Sequence, residues 1–196
     1  MTKRIVSLLW RATAVVIVIA VIAALAIRSI RTSAQVEDHD FGSKMVKYVK
    51  EGRFDEAVQV GLQSLQNQPD DEIVYQQIAD VYLIRAGKDA GQRQQWLSKA
   101  VFYIEKSLSL NSKDRDAAGV HVLQDARSFE TIADLSMDSR CIYYDRAKKL
   151  LEGRTPLLQG DHLVLDGKTF PLAPLREENA RRLNEVQAKR TKAGCK

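Results

Sequence analysis

A chain of 196 residues, 45% hydrophobic and 28% charged, is long enough for one well-cored domain and too short for two large ones. Only 4 prolines and 10 glycines favour helix over a loop-rich all-β design. The pI of about 9.2 and the formal charge of +5 do not signal a nucleic-acid binder. Five basic and no acidic residues lie in the first 36 positions, and the remainder is balanced. A DNA-binding domain needs its positive charge gathered on the folded part.

Ala12 to Ile27 is a run of sixteen residues without a charge. As a helix it covers about 24 Å, and extension back through Leu9, Leu8 and Ile5 reaches the ~30 Å of a bilayer core. Residues 1–34 are therefore expected to be a signal-anchor that meets the membrane through residues 5–27, with Trp10 and Arg11 at the headgroups. A cleaved signal peptide with Thr32-Ser33-Ala34 at its cut is the rival. The length of the apolar run and the intervening Arg28 and Arg31 disfavour it. Counting Lys3, Arg4 and Arg11 against Arg28 and Arg31 puts the N-terminus in the cytoplasm. The folded part is then expected outside it, at a bacterial inner membrane.

After the acidic linker Glu37–Asp40, the apolar residues recur with helical spacing. Phe41, Met45, Tyr48 and Val49 form one stripe, and Val58, Gly61, Leu62 and Leu65 form the next. Gly52 separates the two and Pro69 ends the second. Tyr75, Ile78, Ala79 and Tyr82 open a second pair, completed by Ala100, Ile104, Ser107 and Leu108. A third pair joins Val122, Leu123, Ala126, Phe129, Ile132 and Ala133 to Ile142, Tyr143, Ala147, Leu150 and Leu151.

The segment from Gly52 to Pro69, GRFDEAVQVGLQSLQNQP, resembles the second half of a tetratricopeptide repeat (TPR). Phe54 takes the family's aromatic site, Ala57 its small site and Pro69 its terminator; Gly61 stands where an aromatic is usual. The match is best over residues 38–112. It is interrupted by about nine residues beyond the ~34-residue period, spread over Gly87–Gln95, and is degenerate in the third unit. The resemblance implies a short TPR-like solenoid over residues 35–152, which with the N-terminal transmembrane helix makes the chain all-α. It also implies a concave groove lined by the first helix of each unit. The groove candidates it carries over are His39, Gly42, Val46, Val49 and Lys50, then Ile73, Gln76, Asp80, Leu83 and Ile84. The Lys and Asn that grip acidic chaperone tails in some members are missing, since Gly42 and Val46 stand there. An apolar protein or peptide segment is the expected partner.

Residues 153–196 leave the repeat pattern. Asp166-Gly167 between apolar runs predicts a β-hairpin within 160–174, pairing Leu165 with Lys168 and Leu163 with Phe170. Leu163, Leu165, Phe170 and Leu172 then share a face, expected to lie as a lid on the end of the solenoid, with a docking ribbon for a partner as the alternative. Residues 175–192 read as a basic, solvated helix.

No nucleophile elbow, phosphate loop or dinucleotide fingerprint is present, and His39, His121 and His162 have no ligand partners at helix spacing. Glu130, Asp134 and Asp138 share a helix face, where carboxylates ordinarily only solvate it. Cys141 and Cys195 read as two ordinary thiols, with a bridge open to them in an oxidising compartment. These features predict a non-catalytic membrane-anchored scaffold or assembly factor without a cofactor. The alternatives are an accessory chaperone of secretion machinery and, further off, an enzyme assembled only by folding.

Overall fold

The computed structural model describes residues 41–110, 120–165 and 168–195. The anchor expected at 5–27 and the candidate His39 lie outside the described residues. Among those described, no helix is long and apolar enough to cross a membrane.

Helix α1 (41–50) turns its Met45 inward and stops at Gly52. There the Arg53 and Gly52 amides donate to the carbonyls of Tyr48 and Val49, a pattern that satisfies the open C-terminal end. Helix α2 (Phe54–Asn67) buries Ala57, Val58, Gly61 and Leu65. Gly61 is required by a close approach: a Cβ there would stand 2.6 Å from Cγ1 of Ile78 and 3.2 Å from Cε of Met45. Isoleucine 78 fills the space that an aromatic at position 61 would have claimed.

Asp71 caps helix α3 (Glu72–Lys88), its side chain accepting from the amides of Ile73 and Val74. Helix α3 is buried on several sides, through Val74, Ile78, Ala79, Tyr82, Leu83 and Ala86. The extra residues at 87–95 mostly lengthen the flanking helices, because α3 runs to Lys88 and α4 (Arg93–Leu110) starts only five positions on. Asp89 closes the turn by accepting from the Gln92 amide and from Nε1 of Trp96, both at 3.1 Å. Trp96 in turn stacks on Tyr82, with the Arg85 guanidinium 3.7 Å from its ring centre.

Helices α5 (Val120–Leu135) and α6 (Arg140–Arg154) make the third pair. Leu123, Ala126, Phe129, Ile132 and Ala133 are buried as the stripe predicts, as are Ala147 and Leu151. Burial of a side chain as large as Phe129 or Ile132 contributes about 1.5–3 kcal/mol. Ile142 is the exception: it is exposed, and Tyr144 takes the inward position two residues on. The described helices thus form antiparallel neighbours, α3 with α4 and α5 with α6, and α3 also lies against α5.

A 3₁₀ turn (Thr155–Leu158) leads to strands β1 (His162–Leu165) and β2 (Lys168–Pro171), antiparallel in the predicted register. The lid expected of this hairpin is not formed: β2 is exposed along its length, Phe170 included, Leu163 is only half-buried, and Leu172, beyond the strand, is buried.

Helix α7 (Ala173–Lys192) corrects a second expectation. It packs on α6 and the 3₁₀ turn through Val186 and the buried Asn179, whose amide donates to the Leu151 carbonyl and to Oγ1 of Thr155. Several of the charges along it are paired with other helices. Lys189 reaches Glu130 and Asp134 at 2.6 Å each, Arg127 meets Glu178 at 2.8 Å, and Arg190 meets Asp145 at 2.5 Å. Glu130 is therefore a buried partner rather than a solvating group. Beyond α7, Gly194 adopts φ +74°, which directs Cys195 back into a disulfide with Cys141. Lys44–Lys196, C-terminal extension included, is one compact unit.

Candidate functional site

The face shared by α3 and α5 carries an open depression of about 480 Å³, lined by Asp80, Leu83, Ile84, Gly87, Gln124, Thr131, Asp134 and Leu135. Three of the residues carried over from the repeat resemblance, Asp80, Leu83 and Ile84, meet here. The others are distributed differently. Val46 and Ile73 are about half exposed and Lys50 is exposed, all available to a partner, while Val49 is half-buried. Gln76 is buried and donates to Asp125 at 3.3 Å, so its polar end is spent within the fold. Leu83 is only 6% exposed and forms floor rather than rim.

The polar groups of the floor come from α5, at positions that sequence reasoning did not single out. Gln124 Nε2 and Ser128 Oγ both donate to the Asp80 carboxylate, each at 3.5 Å. The signal was present as a polar stripe at 124, 128 and 131, one helical face away from the apolar stripe through Leu123 and Phe129. Burial pushes the Asp80 carboxyl up from 3.8 to about 6, against the opposing pull of those two donors.

Asp134, on the far wall, is held differently. It accepts a hydrogen bond from the Tyr144 hydroxyl and pairs with Lys189. Burial, together with the adjacent Asp134 carboxylate, raises the Tyr144 hydroxyl to about 12. Burial disfavours the Lys189 ammonium, yet Asp134 and Glu130 outweigh it and lift the group above its ordinary value.

A second cavity of about 450 Å³ lies between α4, α5 and α6, lined mainly by Leu108, Phe129, Leu150 and Leu157 with Arg146 and Arg154. Arg146 is engaged there, stacked over Phe129 and paired with Glu105. Among the described residues no group of three His, Cys, Asp or Glu side chains is placed to hold a metal ion. The chain matches no protein-family model and no curated protein. The α3–α5 face offers apolar walls, a half-buried carboxylate and neutral hydrogen-bonding groups.

Proposed function

We propose that this protein is a membrane-anchored, tetratricopeptide-like scaffold or assembly factor that holds a protein partner on the α3–α5 face and catalyses no reaction. The observation that carries the reading is the pairing of α3 with α4 and α5 with α6, with the first helices of the two pairs adjacent and an open, largely apolar depression between them. The Gly52–Pro69 resemblance supports the same reading from the sequence side. Residues 5–27 supply the anchor. The Cys141–Cys195 disulfide favours an oxidising, extracytoplasmic compartment for the repeats, in agreement with the charge distribution around the anchor.

The test is site-specific photo-crosslinking in cells, with the photoreactive residue at Ile84 on the proposed face and, for contrast, at the exposed Phe102 on α4. A discrete adduct from position 84 that Ile73→Asp abolishes is the expected result. Equal adducts from both positions, or none from 84, would remove the α3–α5 face as the binding surface. A ladder of many substrates from position 84 would instead favour the secretion-chaperone alternative. Maleimide labelling of the reduced cysteines in intact and permeabilised cells tests the compartment.

A further inference from the structure

We propose that the α3–α5 depression is a socket for one cationic side chain, lysine or arginine, carried on an apolar segment of the partner, with Asp80 as its counter-ion. The proposal deepens the reading of this face as the partner surface and rests on it.

The argument starts from an asymmetry among the acids on this side of the molecule. Glu130 has Lys189 at 2.6 Å and Arg182 at 3.5 Å, and Asp134 has Lys189. Asp80 has two neutral donors at the outer limit of hydrogen-bond distance. A carboxylate half-buried among apolar neighbours is costly to keep charged without an opposite charge, and its raised pKa reflects that cost. It nevertheless borders an open depression instead of being sealed in the core. The walls suit the stem of a long cationic side chain: Leu83, Ile84 and Leu135 are apolar along its course. Gly87 adds no side chain at the mouth, and a Cβ there would meet nothing within 4 Å. The exposed Ile73 and Ile84 on the same helix offer contact to apolar neighbours of the cation. Charge complementarity thus selects a cation, and the apolar rim selects the residues around it.

The experiment uses the full chain in lipid nanodiscs and a phage library of random dodecapeptides as probe. Selection is expected to enrich peptides with one Lys or Arg between apolar residues by about tenfold or more. In Asp80→Asn the preference for the cation disappears while apolar peptides are still recovered. A selected peptide loses about tenfold in affinity when its cation is replaced by norleucine, the scale of one charge-assisted hydrogen bond. Gly87→Leu, at a helical site with open space, blocks the mouth and lowers binding of the same peptide without touching the carboxylate. Circular dichroism melts establish that both variants fold. Selected peptides without a cation, or a cation preference unchanged in Asp80→Asn, overturn the socket and leave the α3–α5 face standing. Peptides indifferent to Ile84→Asp as well, or no selection at all, overturn both.

Discussion

Cys195 is bonded to Cys141 across 54 positions of sequence, with the two Cα atoms 5.4 Å apart, so the end of α7 is fastened to the first turn of α6. Closing a loop of that length restricts the unfolded chain, and the loop-entropy relation assigns it about 4 kcal/mol, of which 2–4 is usually recovered. Replacement of both cysteines by serine is expected to lower stability by about 2–4 kcal/mol in urea titrations. Wild-type protein in reductant should match the variant. Identical curves for oxidised wild-type and variant would mean that α7 is held by its ion pairs alone.

Gly61 on α2 and Ile78 on α3 meet at a close helix crossing. Gly61→Ala should cost about 1–3 kcal/mol by overpacking, although alanine is the better helix former by about 1 kcal/mol. In an Ile78→Ala background only the contact with the flexible Met45 Cε at 3.2 Å is left, and the same substitution should become neutral or stabilising. A double-mutant cycle on thermal or urea unfolding reads the coupling directly. Additive effects would show that Ile78 does not limit position 61.

What the sequence reveals here is local, and what it conceals is the pairing of distant groups. The register of the hairpin follows from an Asp-Gly turn between alternating residues, and the structure has Leu163 opposite Phe170 as expected. The stripe from Leu123 to Ala133 is likewise legible, because spacing alone defines a buried face. Ile142 and Tyr144 are both large and lie two positions apart, so periodicity could not decide which turns inward. Docking of α7 was not legible for a different reason. Its contact is made by Asn179, Val186 and a set of charges whose partners lie about fifty to sixty residues away. The candidate site was half legible. The resemblance pointed to α3, but it could not show that Gln76 would be buried against Asp125 of α5 while Asp80, Leu83 and Ile84 line an open depression.

Lys189 tests whether the charges on α7 act as a cap. Its ammonium serves two carboxylates at once, and the side chain of Glu130 is 8% exposed. Lys189→Met leaves Glu130 with only the longer contact to Arg182 among the described residues. The expected loss is about 1–3 kcal/mol, most of it the cost of a buried carboxylate that has lost its nearer cation. Glu130→Gln in the same background should return part of that loss, since a neutral amide no longer requires the cation. Urea titration of the two single variants and the double variant measures this. An unchanged midpoint for Lys189→Met would reduce the pair to a surface contact.

Asp80 makes a prediction about pH whose sign is opposite to that of an ordinary ion-paired acid. Its folded pKa of about 6 lies above its ordinary 3.8, so between those values the folded protein holds a proton that the unfolded chain has released. Stability from this group is therefore full below about pH 4, falls as pH rises through the window, and is lost above about pH 6. Burial is the principal cause of the shift, and Gln124 and Ser128 only moderate it. Asp80→Asn keeps the shape and removes the charge, so it should be more stable than wild-type at pH 7, by on the order of 2 kcal/mol. The advantage should shrink steadily towards pH 4. Comparing the two proteins cancels the other carboxylates, including Glu178, which Arg181 and Arg127 hold near 2 despite some opposing burial and which destabilises in the opposite direction as pH falls. Urea titrations at pH 4, 5, 6 and 7 give the difference directly. A flat difference would mean that Asp80 titrates alike in the folded and unfolded chains. A gain in stability coupled to loss of cation selection would identify Asp80 as a residue kept for binding at the expense of the fold.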